Sequence, residues 1–141
     1  MNRAAMQTRV HEGVPLAGAW GVEVLAFDAG TARLRLPFRD ALLRPGGTIS
    51  GPALMGLVDV AMWVALLSLT EGRDESRTVN LAITFLRAVP PGAVLAEARV
   101  IRRGRRLCYG EVTLFAEGAT EPCAHATTNW AVIQSSDAVS S

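Results

Sequence analysis

One carboxylate stands alone in the most apolar stretch of this 141-residue chain. From Pro52 to Leu69 the only charged residue is Asp59. Taking an isolated ionised acid out of water is costly, so such an Asp is paired, protonated, or set beside a cavity where it does chemistry. Chemistry is the expectation here, because a carboxylate can draw a proton from water or attack a carbonyl carbon itself. The lead-in, RPGGTISGP from Arg44 to Pro52, is a glycine-rich turn running into a helix start. Ser50 suits an N-cap and Pro52 an early helical position.

Other side chains carry a weaker chemical signal. Met55, Met62 and Trp63 lie three or four residues from Asp59 and are expected on its face, as core or as the wall of a pocket. Gly56 is expected to allow close approach of the same helix from a second copy. Four arginines, Arg102, Arg103, Arg105 and Arg106, flank Gly104 in one turn. They suit phosphates, or they keep a sheet edge soluble. No aromatic residue interleaves with them, which argues against nucleic acid. Asn80 is a polar residue in a strand and is a candidate to face the pocket. Cys108 and Cys123 read as small buried hydrophobes, with neither disulfide nor metal spacing. His11 and His125 have no ligand company, so no metal and no cofactor are expected.

The elements that must position these residues follow from pattern. Val22 to Phe27 and Thr31 to Pro37 read as strands joined by the hairpin signal Asp28-Ala29-Gly30. Ala32, Leu34 and Leu36 alternate with Arg33 and Arg35, as in a half-exposed strand. The long helix follows and is closed by Gly72. Strands are expected at Thr78 to Leu86, Val94 to Arg102, Arg106 to Phe115 and about His125 to Ile133. Residues 1–20 read as a loose start with a short helix, and 134–141 as a frayed polar tail. The whole is one domain, α+β, with a curved antiparallel sheet of about six strands wrapped around one long helix.

Charge and composition exclude several classes. Fourteen Lys+Arg against 13 Asp+Glu give a net charge of +1 and no global attraction to nucleic acid or acidic lipid. All the cations are Arg, which excludes a catalytic Lys. A membrane span is disfavoured because Asp59 near its centre would cost about 2.5 to 3.5 kcal/mol. The N-terminus lacks the apolar core of a secretory signal, so the expected location is the cytoplasm.

With these elements in order, the chain resembles the PaaI-like branch of the hotdog-fold acyl-CoA thioesterases, within the 4-hydroxybenzoyl-CoA thioesterase superfamily. That branch has an Asn, a Gly, a His-Gly pair, then a Leu and an Asp on the central helix. Here Gly47 to Gly51 match the Gly-x-x-His-Gly element with Ser50 in place of His, and Arg44 stands where the family has Asn. Leu57 and Asp59 fall at the family's spacing, and TVNLAITFLRAVPPG with RRGRR resembles its next strands and basic hairpin. The resemblance covers roughly residues 15–133.

It implies a homodimer, often assembled into a homotetramer, with sites in the dimer interface. Asp59 would be base or nucleophile, and the Gly51 N–H of the other subunit would polarise the thioester carbonyl. A helix N-terminus, with free donors and partial positive charge, suits that oxyanion. Thr78 aligns with a Ser or Thr that holds the water or the carboxylate; otherwise it is a strand-start Thr. Arg44 would bind a substrate anion or pair with a loop acid, and Ser50 would hydrogen-bond or only cap. The expected activity is hydrolysis of an acyl- or aryl-acyl-CoA. The alternative is a non-catalytic acyl-CoA binding or regulatory protein, favoured by the changes at Arg44 and Ser50. A hydratase is third, disfavoured by the lack of a His near Asp59.

Overall fold

The computed structural model describes residues 1–133. Its frame is a six-stranded antiparallel sheet in the order β1-β2-β4-β5-β6-β3. The strands are β1 (Glu23–Asp28), β2 (Thr31–Leu36), β3 (Arg77–Phe85), β4 (Val94–Arg103), β5 (Leu107–Ala116) and β6 (Ala124–Ala131). Helix α3 (Gly51–Leu67) packs across one face of this sheet. This is the hotdog arrangement that the resemblance implied.

Helix α3 starts where its sequence says it should. Ser50 is the N-cap, its hydroxyl accepting from the Ala53 N–H at 3.4 Å, and Pro52 occupies the first turn, where no N–H partner is needed. Eleven of its 17 residues are buried, so the helix is enclosed on most sides by its own chain. It ends at Leu67, earlier than a C′ role for Gly72 implies. Gly72, at φ +83°, instead closes the loop beyond the helix, its N–H donating to the Leu67 carbonyl at 3.0 Å.

The sheet gives the helix room. The β strands present Ala32, Ala96, Ala98, Ala124 and Ala126 among the buried residues, small side chains under a bulky helix. Gly110 on β5 is the tightest point, since a Cβ there would lie 2.2 Å from the Met62 terminal methyl. The turn between β1 and β2 has Ala29 at φ +43° and Gly30 at φ +91°, the left-handed pair of a type I′ hairpin. The Gly30 N–H donates to Ser68 Oγ at 2.8 Å, which ties this hairpin to the end of α3.

Residues 1–20 correct the expectation of a loose start. They form α1 (Arg3–Gly13), capped by Asn2, and the short α2 (Pro15–Trp20). Met6 and Val10, one turn apart on α1, are fully buried. Trp20 fills the notch at Gly56, where a Cβ would stand 2.7 Å from its ring. Gly56 therefore admits α2 of its own chain rather than a second copy of the helix. The C-terminal residues 134–141, expected as a frayed tail, lie outside the described residues. Among the described residues no helix is long and apolar enough to cross a membrane.

Candidate active site

Asp59 lies half-buried in the middle of α3 and lines a cavity of about 450 Å³. The cavity is bounded by α3, the end of α1, the loop Asp74 to Ser76 and the start of β3. Across it the Thr78 hydroxyl donates to Asp59 Oδ1 at 2.6 Å. One carboxylate oxygen is thus held, and Oδ2 has no protein partner among the described residues. A carboxylate fixed by one donor and open on its other oxygen can accept a proton or attack an electrophile.

Thr78 reaches Asp59 because of an irregularity in β3. The pairing with β6 runs Thr78 to Trp130 and then Asn80 to Asn129, with a bulge at Val79. On an unbroken strand Thr78 and Asn80 would share a face; the bulge gives them opposite faces. Trp130 and Thr128 are buried toward the helix, so Thr78 faces α3 while Asn80 joins Asn129 on the outer face. The expectation that Asn80 faces the pocket is corrected by that extra residue.

Trp63, one helical turn after Asp59, forms a wall of the cavity with Val60, Val14 and Trp130. The guanidinium of Arg9 lies over the Trp63 ring, 4.9 Å from its centroid, and its Nε donates to the Gly72 carbonyl at 3.1 Å. Gly13 makes this stack possible, because a Cβ there would lie 2.5 Å from the indole and 2.7 Å from an Arg9 terminal nitrogen. On the loop, Asp74 is buried, accepts from the Ser76 N–H at 2.6 Å and lies 3.7 Å from the Arg103 guanidinium. The Ser76 hydroxyl is buried with no partner among the described residues.

Met62 turns the other way, into the sheet at Gly110, and is 1% exposed. On the helix Met62 lies about 60° to one side of Asp59 and Trp63 about 40° to the other, so the sheet takes the first and the cavity the second. Met55 is exposed. Met62 is therefore core, the other side of the choice left open by its spacing.

Gly51 and Arg44 line a separate cavity of about 390 Å³ at the start of α3, with Phe85, Leu86 and Arg87. Gly51 and Asp59 are eight positions apart along the helix, roughly 12 Å of rise. Within one chain the two are not brought together. Gly47, at φ +81°, shapes the turn, its N–H donating to the Arg44 carbonyl at 3.1 Å. Of the hairpin arginines, Arg103 lines a depression with Arg73, Asp74 and Glu75 that adjoins the Asp59 cavity. Arg102, Arg105 and Arg106 are exposed and line neither.

Arg9, Asp74, Ser76 and Trp130 escaped sequence reasoning. Met6 and Val10, four residues apart, could have marked α1 as a docked helix and so placed Arg9 near its buried side. Asp74 two residues before Ser76 has the spacing of a side chain closing a local turn.

With this geometry in place, comparison with known proteins is decisive for the family. Residues 46–123 match the family model of the thioesterase superfamily. The chain belongs to that superfamily. Over 112 residues this thioesterase is 32% identical to a "Putative esterase" of Saccharolobus solfataricus, covering 79% of this chain and 73% of that one. It is similar to the crystal structure of a "putative thioesterase" from a Silicibacter species, with a TM-score of 0.85 and 28% identity. That likeness covers 95% of this chain and 93% of the other. It is also similar to a "putative thioesterase, phenylacetic acid degradation-related protein" from Ralstonia eutropha, at 29% identity and a TM-score of 0.77. There the cover is 89% of this chain and 98% of the other. Thioester hydrolysis in general is the activity that this membership carries.

Proposed function

We propose that this thioesterase hydrolyses an acyl- or aryl-acyl-CoA to the free acid and coenzyme A, with Asp59 as the catalytic carboxylate. The observation that carries the reading is the 2.6 Å donation from Thr78 to Asp59 Oδ1 at the edge of an otherwise partly aromatic cavity. Thr78 fixes the carboxylate and leaves Oδ2 toward the space a substrate would enter. As base, Asp59 takes a proton from water as the water oxygen attacks the thioester carbon. The C–S bond then breaks and the proton passes to the departing thiolate. As nucleophile, Asp59 itself attacks, the thiolate leaves, and water cleaves the resulting anhydride.

Either route builds negative charge on the carbonyl oxygen, which needs donors. Gly51, at the N-terminus of α3, is the candidate, and its distance from Asp59 along the helix supports a donor supplied by a second copy. The geometry of a single chain supports this reading of a homodimer, which is open to further pairing as a tetramer. So does β3, an edge strand with Val79, Phe85 and Leu86 exposed at or just beyond it, a surface that another strand edge would cover. The arginines Arg102, Arg103, Arg105 and Arg106 would meet the coenzyme A phosphates, and Arg44 would meet an anion near Gly51.

One observation favours the binding-protein alternative. Ser50, which stands at the family's His position, is occupied in capping α3. The test is hydrolysis across short, medium, long and aryl acyl-CoAs by the wild-type and Asp59→Asn proteins. Turnover that vanishes in Asp59→Asn supports the enzyme and names its acyl class. Binding of an acyl-CoA without any turnover would transfer the reading to the alternative.

A further inference from the structure

Arg9 is a cation in a cavity that has no need of one for the chemistry at Asp59. It stacks on Trp63, so one face of its guanidinium is covered, and its Nε is committed to the Gly72 carbonyl. The terminal nitrogens have no carboxylate within ion-pair distance among the described residues, although Asp59, Asp74 and Glu75 line the same cavity. Asp59 is held by Thr78, Asp74 by Arg103 and the Ser76 N–H, and Glu75 is exposed. A planar guanidinium with a covered face and a free edge presents the fork that matches a carboxylate.

We infer that this cavity selects acyl groups that end in a carboxylate, and that the free edge of Arg9 reads that end. This rests on the proposed site at Asp59 and names its substrate class. Asp59 and Arg9 line the same cavity of about 450 Å³, so the class is a dicarboxylic acid compact enough to lie within it and joined to coenzyme A through one end. The indole of Trp63 and the side chains of Val60 and Val14 cover the intervening methylenes. The fit of Gly13 around the stack, where any Cβ would collide with both Trp63 and Arg9, holds the fork in place.

The test uses non-hydrolysable thioethers, so it is independent of whether Asp59 catalyses anything. Affinities of the carboxybutyl thioether of coenzyme A and of its neutral pentyl counterpart are measured by calorimetry for wild type, Arg9→Gln and Arg9→Lys. Wild type is expected to prefer the carboxylated ligand by about tenfold or more, the scale of a hydrogen-bonded charge pair. In Arg9→Gln the ratio should fall to near one, and Arg9→Lys should keep only part of it. Because the ratio is taken within each protein, a general loosening of α1 cancels. A wild-type ratio near one, or failure of the carboxylated ligand to bind, overturns the inference. So does a ratio that survives in Arg9→Gln with both affinities reduced alike, which would place Arg9 against a coenzyme A phosphate or in a purely structural role. Absence of thioester turnover with the binding ratio intact would instead count against the proposed catalysis alone.

Discussion

Asp59 and Thr78 divide the work of the site between an open oxygen and a held one. In the proposed reaction, replacing Asp59 by Asn keeps the shape and removes the base or nucleophile, and kcat should fall at least about 100-fold. Thr78→Val removes one donor to a charged acceptor, so kcat should drop roughly tenfold with a smaller change in KM, and Thr78→Ser should recover most of it. Steady-state kinetics on the best acyl-CoA of the panel checks both. Asp59 was legible because a charge in a greasy run has few explanations. Arg9 was not, because its partners are 54 and 63 residues away in sequence and its pattern on α1 is mostly polar. Asn80 misled because the bulge at Val79 is an extra residue that alternation cannot announce.

Among the elements, α3 is set by its ends and by the sheet beneath it. Ser50→Ala removes the cap and should lower stability by about 1 kcal/mol, read as a fall in the denaturant midpoint. Gly110→Ala places a methyl where Met62 already sits and should cost about 1 to 3 kcal/mol through overpacking. Combining it with Met62→Val should give back part of that loss, a non-additivity measurable in a double-mutant cycle. The strands and hairpins were readable because turn residues and period-two alternation are local signals. The first 20 residues were not, since α1 and α2 gain their order by docking Met6, Val10 and Trp20 on the rest of the chain.

At the scale of the molecule, the sheet has two unlike surfaces. The outer one carries cross-strand ion pairs, Arg33 with Glu97 and Arg99 with Glu111, which also meets His125. The Arg99 hydrogen bond, and then that of His125, hold the Glu111 carboxyl below its ordinary value of 4.5. A carboxyl with a lowered folded-state pKa stabilises the fold above its unfolded value and loses that contribution as pH falls through the folded value. Glu111→Gln should therefore be less stable than wild type at about pH 7, by under about 1 kcal/mol because Arg99 is exposed. The difference should shrink as pH falls below the ordinary carboxyl value of 4.5 and through the lower folded one, which thermal melts across that range would show. On the proposed dimer, with β3 at its seam, Val79→Asp puts charge on that edge and should shift sedimentation toward a monomer with parallel loss of turnover.

The basic hairpin of Arg102, Arg103, Arg105 and Arg106 has a chemical consequence for a protein that handles activated acyl groups. An amine on a lysine loses its proton within reach of neutral pH when its surroundings favour it, and then attacks thioesters; a guanidinium keeps its charge and does not. An all-arginine surface can draw coenzyme A phosphates close without becoming a target of the acyl group they carry. Prolonged exposure to excess acyl-CoA should leave every basic side chain of the chain unmodified by mass, so the protein is immune to self-acylation at its own charged surface.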